Sequence, residues 1–191
     1  MFTRKILLTV FLILSSLSLT AHAALIVQEP SPGEFVVLDE DTNLMWLQNA
    51  DLAGARMSWT DALNWAENLS YAGYNDWRLP STPGTIWSYN KEGEMGRLYY
   101  DVLGNKAYGP LTNTGLFINI QSYYYWSGKE YYSTEEAWFF NLGCGLQDVG
   151  SESFTYYAWA VRDAAAVPEP ASLFLLGSGL VGLLGLKRWK K

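Results

Sequence analysis

Apolar segments stand at both ends of the chain, and they confine any water-soluble fold to what lies between them. Residues 6–19 are apolar apart from Thr and Ser, and they follow Arg4 and Lys5. Ala21-His22-Ala23 then supplies the small-x-small pattern of a signal-peptidase site. The expectation is a signal peptide over residues 1–23, cut by signal peptidase after Ala23. At the other end, residues 171–186 carry no charge. A helix of that length rises about 24 Å, slightly less than the ~30 Å hydrocarbon core. Lys187, Arg188, Lys190 and Lys191 follow directly. The positive-inside rule puts this basic tip (187–191) in the cytoplasm and residues 24–167 outside. A transmembrane helix over 171–186 is therefore expected. Gly177-Ser-Gly179-Leu-Val-Gly182 matches G-x-G-x-x-G by letter. It lies inside this apolar span and follows no strand, so it is not a dinucleotide loop.

Pro168-Glu169-Pro170 precedes the apolar span, within a linker over 164–170. A Pro-Glu-Pro motif, a short apolar helix and a basic tip together resemble the PEP-CTERM sorting signal. The resemblance implies export across the inner membrane of a Gram-negative host that makes exopolysaccharide. It also implies transient anchoring by the C-terminal helix. Recognition by an exosortase, a membrane-embedded cysteine transpeptidase, then removes the tail. The protein would end at the cell surface or in a biofilm matrix.

Trimming both ends changes the electrostatics. Six of the 13 basic residues leave with the ends, but only Glu169 of the 19 acidic ones does. Seven basic and 18 acidic side chains remain, a net charge of −11. Such a surface argues against nucleic acid and against strongly anionic polysaccharides. It suits neutral glycans, cationic surfaces, or divalent cations between acids. His22 leaves with the signal peptide, so the mature chain has no imidazole for acid–base or zinc chemistry. Cys144 is the only cysteine, which excludes an internal disulfide. Eight tryptophans and all 13 tyrosines stay in the mature part. Some must form the core, and exposed ones suit stacking on sugar rings.

Local patterns predict an α+β fold. Residues 28–33 read as a Pro-rich lead-in, the end of a stretch over 24–33 outside the domain. Strands are predicted over 34–38 and 44–47, joined by an Asp39-Glu-Asp-Thr-Asn43 turn. That turn opens like a calcium loop. Leu44 stands where the loop needs glycine and Ala50 where it needs glutamate, so calcium has no motif here. Ser58 caps a helix whose stripe is Trp59, Ala62, Leu63, Ala66 and Leu69, with Gly73 helping to end it. A second helix is predicted over 94–103, stopped by Gly104. Residues 105–122 read as irregular. Short strands follow over 124–127, 137–141, 146–149 and 158–162, and the terminal strands are expected to pair.

Several segments then fit one pattern. They are Val37-Leu-Asp39 with Leu44-Met-Trp46, Trp59-Thr-Asp-Ala62, and the G-Y-N-D-W-R-L-P block from Gly73 to Pro80. Glu94-Met-Gly-Arg-Leu-Tyr-Tyr100, Tyr125-Trp-Ser-Gly128, Ala137-Trp138 and Ala158-Trp-Ala-Val-Arg162 complete it. This resembles the Lcl C-terminal-type domain, a bacterial extracellular domain of unknown function, over residues 34–163. The resemblance implies a compact α+β module of C-type-lectin-like character, which the local patterns fill with two helices and short antiparallel strands, and no enzymatic activity is established for the family. In one adhesin class such a module attaches to glycans. The tripeptides of calcium-dependent lectins are absent from this chain. Its charge also argues against sulfated polymers, so neither property carries over.

Six residues are candidates for binding. Trp87, Tyr89, Tyr131 and Tyr132 lie in loops, where aromatic side chains are better placed to meet a ligand. Asp76 and Arg78 form the corner of the G-Y-N-D-W-R-L-P block. A structural role weighs more for these two: Trp77 would plug the core and Arg78 would tie a loop through Asp76 or Asp163. Trp126, Trp138 and Trp159 alternate with small or polar residues and are expected in the core. The carboxylate pairs Glu92 and Glu94, Glu135 and Glu136, and Asp39 and Asp41 are available to a glycosidase, but spacing marks none as catalytic. Cys144 has no basic neighbour in sequence to activate it. The leading expectation is a non-enzymatic glycan- or matrix-binding protein, with exopolysaccharide as a candidate partner and no cofactor. A purely structural matrix protein and a carboxylate-dependent glycan-processing enzyme are the alternatives.

Overall fold

Two antiparallel sheets and two short helices make up the computed structural model, which describes residues 25–84, 87–89, 91–132 and 135–164. The fold is α+β, as the sequence patterns predict. The first sheet has the order β1 (Leu25–Ser31), β2 (Glu34–Asp39), β3 (Leu44–Leu47), β7 (Val161–Asp163). The second is β4 (Tyr124–Glu130), β5 (Glu136–Asn141), β6 (Leu146–Ser151). β3 is apolar throughout and all four of its residues are buried, the pattern of a strand covered on both faces. β7 pairs with β3, so the two ends of the domain share one sheet. Leu25 lies opposite Asp39, Asp39 opposite Leu44, and Leu44 opposite Asp163.

Several boundaries differ from the sequence reading. The Pro-rich lead-in contains strand β1, which pairs with β2 from Leu25 to Gln28 and again at Ser31. Pro30 falls in the irregularity between Gln28 and Ser31, where a missing N–H leaves no ladder bond unmade. The second helix is α only over Glu94–Arg97 (α2). It widens to a π-helical turn over Leu98–Val102, closed by Leu103 N–H on the Leu98 carbonyl at 2.9 Å. The first helix, α1 (Trp59–Glu67), ends at Asn68 and not through Gly73. The Asn68 side chain bonds the Asn64 carbonyl at 2.8 Å, while Gly73 turns the chain between Tyr71 and Tyr74. The start of α1 is as expected: Ser58 Oγ accepts the Asp61 N–H at 3.2 Å and donates to the Asp61 carboxylate at 2.6 Å.

The chain between the sheets fills with aromatic rings. Trp126, Trp138 and Trp159 are all buried, in line with their period-two spacing, as is Trp46. The indole N–H groups of Trp159 and Trp126 donate to the Leu47 and Met57 carbonyls at 2.8 and 2.9 Å. Satisfying these donors lets large rings be buried without a desolvation penalty. Trp159 lies just before β7 rather than on it. The described strands and one contiguous core cluster lie within residues 25–164. Among the described residues no helix is long and apolar enough to cross a membrane. The expected span over 171–186, the sorting motif at Pro168, Glu169 and Pro170, and the cleavage site at Ala21 and Ala23 lie outside the described residues.

Candidate functional site

The G-Y-N-D-W-R-L-P block forms the seam between the two sheets. Arg78 exchanges backbone hydrogen bonds with Val161, both at 2.9 Å, and extends the first sheet past β7. Two residues on, the Pro80 carbonyl accepts the Gly128 N–H of β4 at 2.9 Å. Trp77, just before Arg78, is buried and donates to the Tyr71 carbonyl at 3.2 Å.

Both charged candidates in this block are engaged by partners within the chain. Arg78 grips Glu94 with two bonds of 2.8 Å and reaches Asp163 with a third. The Glu94 contact, then Asp163, holds the guanidinium firmly in its charged form against the opposing effect of burial. Glu94 also accepts the Ser81 N–H at 2.7 Å, so one carboxylate fixes both the arginine and the loop beyond it. Asp76 does not pair with Arg78. It pairs with Arg162 at 2.6 and 2.9 Å, and Arg162 lies over the Tyr74 ring at 3.9 Å. The hydrogen bond to Arg162 holds the Asp76 carboxyl below its usual range. These groups brace the seam.

Beside the seam lies a cleft of about 280 Å³. Leu63 and Glu67 of α1 line one side, Leu79, Ser81 and Thr82 another, and Gly128 and Lys129 of β4 a third. The Arg78 side chain contributes to the same wall. A smaller hollow of about 110 Å³ adjoins it, formed by Gly84, Lys129, Glu130, Tyr131, Tyr132 and Trp138. Lys129 belongs to both. Its ammonium donates to the Pro83 carbonyl at 3.3 Å, and among the described residues it forms no ion pair.

The loop aromatics divide into props and exposed faces. Tyr131 is half-buried and meets Trp138 edge-on, with ring centres 5.6 Å apart. Tyr132 stands beside Tyr131 and is 81% exposed. Trp87 is 74% exposed, and its neighbour Ser88 exchanges two backbone hydrogen bonds with Gln147 at the outer edge of β6. Tyr89 is half-buried and lies against Tyr108, with ring centres 3.9 Å apart. Burial, then the adjacent Cys144 thiol, pushes the Tyr89 hydroxyl up. Tyr108 is 78% exposed.

Trp87, Tyr108 and Tyr132 share a further property. Their φ angles are +49°, +61° and +48°. For a bulky side chain this left-handed backbone is uncommon and unfavourable by about 1 kcal/mol or more. The three most exposed aromatic rings of the described chain are therefore all held in strained backbone. The sequence reading includes Trp87 and Tyr132 but not Tyr108, although Tyr108-Gly-Pro110 carries the same loop signal. Lys129 and Thr82 have no sequence signal at all, because only the pairing of β4 with the seam brings them together.

The carboxylate pairs are dispersed. Glu94 is committed to Arg78, and Asp39 is buried and accepts the Asp41 N–H at 3.1 Å. Burial, then the nearby Glu130 and Glu135, pushes the Glu152 carboxyl up, and burial does the same to Asp148. Among the described residues no group of three His, Cys, Asp or Glu side chains could hold a metal ion.

Comparison with protein families agrees with both resemblances. The model of the Lcl C-terminal domain matches residues 35–162, and that of the PEP-CTERM protein-sorting motif matches residues 166–188. No curated protein matches the chain. The sorting motif implies an exported protein with an exosortase as partner and a surface or extracellular destination.

Proposed function

We propose that this chain, which belongs to the Lcl C-terminal domain family, is a non-enzymatic glycan-binding protein of the cell surface or exopolysaccharide matrix. One observation carries the reading: the most exposed aromatic rings are held on strained backbone, one of them at the mouth of a cleft. A sugar ring meets an aromatic face through its C–H groups and needs donors and acceptors at its rim. Tyr132 supplies the face, while Lys129 and Glu130 supply a donor and an acceptor within the same hollow. Seven basic residues against 18 acidic ones favour a neutral sugar over a sulfated one. The paired terminal strands support a C-type-lectin-like arrangement. Signal peptidase and an exosortase are the processing partners in this reading, with transient anchoring between the two cuts.

The test is equilibrium binding of residues 24–167 to a panel of neutral polysaccharides and the host exopolysaccharide, with calcium and with a chelator. Saturable binding should weaken at least tenfold in Tyr132→Ala and in Lys129→Ala. Folded protein that binds no polymer would overturn the reading in favour of a structural matrix protein. Turnover of a bound polymer, lost on a single Glu→Gln change, would favour the enzyme.

A further inference from the structure

We infer that Trp87 and the Tyr89–Tyr108 pair form a second sugar platform beyond the cleft, so the protein binds the interior of a long neutral polysaccharide. This rests on the glycan reading above. Ser81, Thr82 and Gly84 line the cleft and its hollow, and Ser88 bonds Gln147 at the outer edge of β6. Lys129 of β4 and Ser88 beside Gln147 of β6 stand on opposite edges of the second sheet, with β5 between the two strands. From β4 to Ser88 is three strand spacings, about 14 Å. That distance exceeds one sugar ring, so a ligand touching both Lys129 and Trp87 has several units.

The far edge has the features of a stacking surface. Tyr108 is 78% exposed, and Tyr89 supports its other side at 3.9 Å. The Tyr108 N–H is fixed to the Cys144 carbonyl at 3.1 Å, and Trp87 is fixed through Ser88. Both rings are thus exposed on anchored backbone of unfavourable φ. A hydrophobic core does not need them there, because their faces are turned outward. The acidic surface excludes an anionic polymer, and a free monosaccharide would occupy the hollow alone.

The test compares oligomers of two and six units in three neutral series: β-1,4-linked glucose, β-1,4-linked mannose and α-1,4-linked glucose. Binding is measured by calorimetry on residues 24–167. At least one six-unit oligomer should bind tenfold or more tightly than its two-unit counterpart. Tyr108→Ala and Trp87→Ala should each remove most of that advantage and leave two-unit binding unchanged, while Tyr108→Phe retains it. Unchanged thermal melts establish that the variants are folded. Equal affinity for both lengths would overturn the second platform and leave the cleft standing. No binding at either length in any series would overturn the second platform, and the polysaccharide panel above decides the cleft separately.

Discussion

Arg162 and Asp76 show how a single residue can serve the fold while resembling a site. Arg162 is 8% exposed, and a buried guanidinium needs its charge answered. Asp76 does so with two bonds, and the Tyr74 ring covers the guanidinium. The carboxylate itself is 57% exposed, so water screens the pair and its contribution stays small. Asp76→Asn should lower stability by about 1 kcal/mol at pH 7. The sign of the pH dependence follows from the lowered Asp76 pKa. A carboxyl that is more acidic when folded stabilises fully above its unfolded value near 3.9, and that stabilisation is lost as pH falls through the folded value. Urea titrations of both proteins from pH 7 to pH 3 should show the gap constant down to about pH 5 and shrinking below about pH 4. A gap that widened on acidification would contradict this pairing.

The β5–β6 hairpin places the second sheet's edge against the π-helical turn, and its tightest point is Gly145. This residue has φ +83°, and an added Cβ would stand 2.2 Å from Tyr100 Oη and 2.8 Å from a Tyr99 ring carbon. The Tyr100 hydroxyl donates to the Gly145 carbonyl at 2.7 Å, so it has a reason not to move. Gly54 has a similar φ of +70° but nothing within 4 Å of a Cβ. Gly54→Ala should lower stability by about 1 kcal/mol, the backbone term alone. Gly145→Ala adds overpacking and should lower it by about 2–4 kcal/mol. Equal losses in urea titrations would show that the hairpin does not close on Tyr100 as described. Elements of this kind were unevenly legible in the sequence. β3 and the start of α1 were plain, since a continuous apolar run and a Ser-x-x-Asp cap are local signals. β1 was not, because Gln28, Glu29 and Pro30 suppress strand character, and only its edge position with an irregular register tolerates them. The π-helical turn shares its apolar spacing with an α-helix, so periodicity alone reads through it. At the site, the exposed loop rings were legible as loop aromatics. The Lys129 cleft was not, because it exists only where Gly128 of β4 meets Pro80 of the seam.

At the scale of the whole molecule, strand register decides where the two ends of the domain stand. Leu25, Asp39, Leu44 and Asp163 form one row across the first sheet, and β1 starts there while β7 ends there. Leu25 and Asp163 therefore stand at the same end of the sheet, three strand spacings or about 14 Å apart. The match to the sorting motif begins within a few residues of Asp163, at this end of the sheet. The β1–β2 turn at Gly33 lies at the other end of the same strands. A circular permutant tests the row directly. New termini belong between Gly54 and Ala55, both exposed, with Ala164 joined to Leu25 through a Gly/Ser linker. Six linker residues reach up to about 24 Å and span the row, whereas two reach only about 10 Å. The six-residue permutant should unfold cooperatively within about 1 kcal/mol of the parent. Its two-residue counterpart should lose the pairing of β1 or β7 and several kcal/mol with it, as read by urea titration. Equal behaviour of the two linkers would place the two ends of the domain elsewhere than on one row of the first sheet.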